Sequence, residues 1–156
     1  MKRDSEIMKM KTKKTQSKYR SKKVVVDNIK FDSKFEAEYY TDLKRKKEKG
    51  EIKDFGLQYK FELQPSFKKD GKTKRSITYI ADFAIYHNDG QVEYIDTKGF
   101  SSDVAKIKRK MFDYRYPDSK LTWISKSFKY GGKNGLIEYD ELQKKIREAK
   151  KVKEVI

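Results

Sequence analysis

The stretch that decides the fold runs from Ile77 to Gly99, ITYIADFAIYHNDGQVEYIDTKG. Its first half is dense in β-branched and aromatic residues, the signature of a strand. Asn88-Asp89-Gly90 supplies a hairpin turn, so QVEYIDTKG is expected to return antiparallel. Symmetric pairing about that turn sets residue i opposite residue 178 − i and brings Asp82 beside Asp96. Strand alternation places Ile80, Asp82 and Ala84 on one face and Ala81, Phe83 and Ile85 on the other, and puts Asp96 and Lys98 on a shared face. An aspartate inside YIADFAIY calls for a partner. Two carboxylates on neighbouring strands repel unless a cation lies between them, which argues for a divalent metal. In that reading Lys98 stabilises charge developing on a phosphate or positions a water. The competing reading is a buried Asp82 hydrogen-bonded to backbone beside an exposed Asp96–Lys98 ion pair that contributes little. A one-residue slip of register would separate the two acids.

Working outward, Phe35, Tyr39 and Leu43 fall four apart and predict a helix starting at Ser33 and ending near Gly50. Before it, KVVVDNIKFDS reads as two short strands around Asp27-Asn28. After it, Ile52 to Lys69 reads as extended, with Pro65 marking an edge, a bulge or a strand end. Asp70-Gly71 centres a basic turn. Beyond Gly99, Val104, Ile107, Met111 and Tyr114 predict the apolar face of a second helix that ends at Tyr116-Pro117. KLTWIS is a further strand, KYGGKNG a flexible loop, and Glu138 to Lys153 a charged helix with Leu142, Ile146 and Ala149 as its stripe. This order fits helices packed on a mixed sheet better than a barrel or a bundle.

The chain of 156 residues has the length of one domain. Residues 1–23 carry ten Lys or Arg against two acids, so residues 1–22 are expected to form a flexible basic arm and 23–156 a single domain that includes the C-terminal helix. The net charge of +16 favours polyanions. No apolar run approaches the roughly 20 residues that span a bilayer, and MKRDSEIMKMKTKK lacks the apolar stretch of a secretory signal. The expectation is a cytoplasmic protein with no membrane partner. Cysteine is absent and His87 stands alone, which excludes disulfides, thiolate chemistry and a His-rich zinc site. A metal here would be held by oxygen, as Mg²⁺ or Mn²⁺.

In FDSKFEAEYY, Ser33 and Glu36 form an S-x-x-E capping pattern. Glu36 can either bond back to the N-cap amide or point into a neighbouring site, and spacing leaves both open. On the second helix Lys106, Lys108, Arg109 and Lys110 can hold DNA phosphate or form a solvated face. His87 reads as an exposed strand-end residue, and Tyr94, Trp123 and most tyrosines as packing residues rather than base-stacking platforms.

The ordered set Glu36, Asp82 and Asp96-x-Lys98 resembles the metal-dependent nuclease superfamily written PD-(D/E)XK. Ala81 stands where proline is commonest. FDSKFEAEYY, LQPSF, YIADFAIY, VEYIDTKG and KIKRKMFDYRYP together resemble a group of small, mostly uncharacterised bacteriophage and prophage proteins placed in that superfamily, over about residues 17 to 126. The resemblance implies an α/β, restriction-endonuclease-like core, a mixed central β-sheet flanked by helices. It implies a Mg²⁺-dependent DNA endonuclease of a phage or prophage, in the cytoplasm of a bacterial host, with no small-molecule organic cofactor. Asp82 and Asp96 would be principal metal ligands, Glu36 a further ligand directly or through water, Lys98 the catalytic lysine and Gln64 a lining residue. Selectivity for branched or otherwise structured DNA, in recombination or DNA processing, and a homodimer that pairs two cuts are the accompanying expectations. The alternative is a catalytically silent DNA-binding or recombination accessory protein. An RNA-associated structural protein explains the charge but not Asp82.

Overall fold

The computed structural model describes residues 22–154; the basic-arm reading of residues 1–22 lies outside them except at Lys22. Strands β1 (Val24–Val26) and β2 (Ile29–Phe31) pair antiparallel around Asp27-Asn28. Both turn residues have positive φ, at 51° and 63°, the backbone a two-residue hairpin demands and that Asp and Asn tolerate. Helix α1 (Lys34–Glu48) follows. Strand β3 (Asp54–Gln64) ends one residue before Pro65, and β4 (Phe67–Lys69) pairs with β5 (Lys72–Lys74) across Asp70-Gly71. Then come β6 (Ile77–Tyr86), β7 (Val92–Thr97), α2 (Asp103–Arg115), β8 (Lys120–Lys126), β9 (Leu136–Glu138) and α3 (Tyr139–Glu154).

The central sheet runs β3-β6-β7-β8-β9. Only β7 and β8 are parallel, joined by the α2 crossover, and the other neighbours are antiparallel. This is an α/β fold with a mixed central sheet flanked by helices, a restriction-endonuclease-like arrangement. Phe83 faces Ile95 and Ala84 faces Tyr94, both pairs summing to 178, so the register expected from the turn is the one found.

Two apolar clusters cover the sheet. Tyr39, Tyr40 and Leu43 of α1 pack with Phe31, Phe83 and Ile95, whereas Phe112 of α2 packs with Phe61, Leu63, Tyr79 and Ala81, and Tyr94 lies against them. Ile95 and Tyr94 are adjacent on β7 and point to opposite faces, so the two clusters are the two sides of the sheet. Burying Leu43, Phe83 and Phe112 completely contributes about 1.5–3 kcal/mol each.

This placement corrects the strand alternation expected for β6. Ala81 and Phe83 are two apart yet belong to opposite clusters. The same switch occurs on β3, where Leu57 packs with the α1 side and Phe61 with the α2 side. The ladder pairs Leu57 with Phe83 and Tyr59 with Ala81, skipping Gln58 and Asp82. Gln58 adopts φ 53°, a conformation uncommon outside glycine, and it turns the strand over at Asp82.

The apolar face expected on α2 is also corrected. Val104, Ile107 and Tyr114 are exposed, Met111 is half-buried, and the helix docks through Phe112 with Tyr116 beside it. The C-terminal helix lies on β8 and β9 with Leu142, Ile146 and Ala149 half-buried. The expected flexible loop KYGGKNG is instead closed on itself. Ser127 N donates to Gly135 O at 2.7 Å and Gly131 N to Ser127 O at 2.8 Å. A Cβ on Gly131 would stand 2.2 Å from Gly135 O, so only glycine fits that approach.

Candidate active site

Asp82 and Asp96 sit just beyond the last β6–β7 pair, where the two strands part. Thr97 closes the gap. Its backbone N and its Oγ1 both donate to Asp82 Oδ2, each at 2.8 Å. Burial, and then the charge of Asp96, push the Asp82 carboxyl up to about 7, with Glu36 adding to the shift against the two Thr97 bonds. Carboxyls shifted in this way, by burial together with a specific charged neighbour, cluster at functional sites and also occur in structural ion-pair networks.

Asp96 is 3% exposed. Its Oδ2 accepts from the Tyr79 hydroxyl, whose oxygen in turn accepts from Trp123 Nε1 at 2.7 Å. Its Oδ1 is 2.9 Å from Lys98 Nζ. Burial, with the Asp96 charge second, drives the Tyr79 hydroxyl far above its ordinary range, so it stays a proton donor to Asp96. Lys98 Nζ also lies 5.1 Å from the centre of the Trp123 ring, and its main chain is tied to β8 by Lys98 N donating to Ile124 O and Ser125 Oγ to Lys98 O, both at 2.7 Å. The Asp96–Lys98 pair is therefore braced, with Asp96 buried and Lys98 half-buried, unlike the exposed pair of the competing reading. The Asp82 half of that reading, a carboxylate bonded to backbone, is present.

Glu36 approaches from α1 and is 7% exposed. Ser33 caps the helix by accepting from Glu36 N at 3.1 Å. The reciprocal bond of a capping box is missing. Glu36 Oε2 accepts from Asp32 N at 3.2 Å, one residue before the N-cap, and Oε1 accepts from Gln58 Nε2 at 3.3 Å. Burial raises its carboxyl, and the charges of Asp32 and Asp96 act in the same direction. Glu36, Asp82 and Asp96 thus feel one another, although among the described residues no group of three or more His, Cys, Asp or Glu is placed to hold a metal ion.

The four cations of α2 separate. Lys108 lines a groove of about 350 Å³ together with Asp96 and Lys98. Lys106 leans on Asp103 at 3.8 Å, and Lys110 is exposed. Arg109 is bound by both guanidinium nitrogens to Asp140 of α3, at 2.9 and 2.7 Å, and lies 4.5 Å from the Trp123 ring centre. That geometry ties α2 to α3. His87 pairs with Glu93 at the far end of the hairpin, and Gln64 pairs with Ile77 past a register shift.

Four residues around the acids have no signal in the sequence. Tyr79 and Trp123 read as packing residues and prove to hold Asp96. Thr97 is the unspecified letter of D-x-K and holds Asp82. Gln58 reads as an ordinary strand residue, yet its unusual backbone lets it reach Glu36.

No curated protein and no solved structure matches the chain. A family model described as "Protein of unknown function (DUF1064)" matches residues 16–132, a span that holds Glu36, Asp82, Asp96, Lys98 and every residue that braces them. The chain belongs to the DUF1064 family.

Proposed function

We propose that the chain is a metal-dependent DNA endonuclease that hydrolyses phosphodiester bonds at the Asp82–Asp96 face. The observation that carries the reading is Asp82. Its carboxyl sits in a fold that opposes its charge, through burial, Asp96 and Glu36, and a bound divalent cation would relieve that opposition. The donor set fits a hard cation, being all oxygen. Both Thr97 bonds fall on Asp82 Oδ2, which leaves Oδ1 without a donor among the described residues. Asp82 and Asp96 would hold Mg²⁺ or Mn²⁺, with Glu36 a further ligand directly or through water. When bound, such an ion supplies Lewis-acid polarisation of the phosphate and a water of lowered pKa.

The chain's own groups do the rest. Thr97 fixes the Asp82 carboxylate, and the Trp123–Tyr79 chain fixes Asp96, so neither acid must reorganise when substrate arrives. Lys98 Nζ neutralises Asp96 at rest and is the donor available to a phosphate oxygen or to the attacking water. Lys108 and the +16 charge hold the backbone of the substrate. Selectivity for branched or structured DNA belongs to the same proposal.

A second reading is a DNA-binding accessory protein without catalysis. It is favoured by the partners that the chain itself supplies to both oxygens of Asp96 and of Glu36. The experiment that separates them uses labelled linear, single-stranded, flap and four-way DNA with Mg²⁺, Mn²⁺ or EDTA. Metal-dependent cleavage of any of these supports the nuclease. Tight, salt-sensitive binding without cleavage of any of them supports the accessory role.

A further inference from the structure

The groove that contains Asp96 and Lys98 has an apolar rim. Ile80, 48% exposed, and Val104, 63% exposed, line it from β6 and from the first turn of α2. Both are aliphatic side chains left in water at the mouth of a groove that also holds Asp96, Lys98 and Lys108. The cluster between α2 and the sheet does not include them, because α2 docks through Phe112. The cations around them are Lys98 and Lys108 in the groove and the exposed Lys60, which stands directly opposite Ile80 in the β3–β6 ladder. The opposing charges are Asp96, paired with Lys98 in the groove, and Glu62, opposite Thr78 in the ladder.

An occupant must therefore offer negative charge to the lysines and a flat apolar surface to Ile80 and Val104 at once. Intact duplex offers the first and hides the second, because its base faces are stacked within the helix and only phosphates, sugars and base edges face outward. A nucleotide released from the stack offers both; single strands are held by a cationic track with aromatic platforms for the bases, and here Ile80 and Val104 supply an aliphatic platform in that place. The groove's volume, about 350 Å³, is within the range of sites for small organic groups, roughly 300–1,000 Å³.

We propose that this groove receives an unpaired nucleotide, its phosphate on Lys98 and Lys108 and its base against Ile80 and Val104, so that the chain binds single-stranded or frayed DNA in preference to intact duplex. This rests on the reading of the Asp96–Lys98 face as a DNA site and specifies the substrate that the face takes.

The test is fluorescence anisotropy in EDTA, where metal-dependent cleavage is silent, with one labelled oligonucleotide presented as a single strand and as a blunt duplex. Apolar packing of one base against Ile80 and Val104 predicts roughly tenfold tighter binding of the single strand. In the double variant Ile80→Thr, Val104→Ser that advantage disappears while duplex affinity changes less than about twofold. Lys108→Ala weakens both forms and flattens the salt dependence of each. All three substitutions are at partly or fully exposed side chains, and thermal melts confirm that the variants are folded. A duplex bound as tightly as the single strand, or a double variant that loses affinity equally for both, overturns the proposal. Either of those results with Mg²⁺-dependent cleavage intact leaves the nuclease reading standing. A single-strand preference without any cleavage removes the nuclease reading and keeps this one.

Discussion

Replacing Asp82 by asparagine removes a charge that the fold opposes and keeps the shape that Thr97 binds. The carboxyl ionises near 7 in the folded chain against 3.8 for the unperturbed group. Between those values the folded chain holds a proton that the unfolded chain has released, so stability falls as pH rises from about 4 to about 7. A gap of about three pH units at 1.36 kcal/mol each comes to about 4 kcal/mol of lost stability by pH 8. The amide of Asp82→Asn still offers an oxygen to Thr97 N and Oγ1, so the variant escapes this loss without forfeiting the two bonds. Urea unfolding at pH 5 and pH 8 reads it directly. The acids whose carboxyls are held low by cations, Asp42 and Asp140 among them, lose their stabilising charge only at lower pH and are common to both proteins. The expected result is a variant more stable than the parent by several kcal/mol at pH 8 and by distinctly less at pH 5. Parallel pH profiles for the two proteins would refute the reasoning, because Asp82 would then titrate as an ordinary carboxylate.

Other perturbations test the frame around the acids. Tyr79→Phe takes one donor from buried Asp96 and strands Trp123 Nε1, and should cost about 1–3 kcal/mol in chemical denaturation. Arg109→Ala breaks the bidentate bond to Asp140 and uncovers the Trp123 ring. It should lower stability by about 1–3 kcal/mol and speed amide exchange in α3, while DNA affinity drops no more than for Lys110→Ala. Gly131→Ala drives a methyl against the Gly135 carbonyl and should lower the melting temperature by several degrees, consistent with about 1–3 kcal/mol of strain.

What the sequence revealed and what it hid follow from the range of the forces involved. The β6–β7 register was legible because a short turn sets it, and Asn88-Asp89-Gly90 left one symmetric pairing. The hairpins at Asp27-Asn28 and Asp70-Gly71 were legible for the same local reason. The buried face of α2 was not. Val104, Ile107, Met111 and Tyr114 make a regular apolar stripe, but tertiary packing chose Phe112, which the sheet could cover. The switch of faces at Asp82 was equally hidden, since it depends on one backbone angle at Gln58, a residue whose type does not announce it. For the candidate site, the charged members could be read because an aspartate in an apolar strand is costly. Their supports could not, because Tyr79 and Trp123 look like core until the fold brings β6 and β8 to Asp96. Glu36 remained ambiguous in sequence because the same side chain can cap a helix or face a site. In the fold it does a variant of the first while feeling the charges of the second.

The central claim is that Asp82, Asp96 and Lys98 cut DNA with a divalent metal, and nicking of supercoiled plasmid tests it most directly. The parent protein should nick in Mg²⁺ and not in EDTA, and Asp82→Asn and Lys98→Ala, each shown to be folded, should nick at least about 100-fold more slowly. Nicking that persists at the parent rate in both variants, or that survives EDTA, would contradict the account.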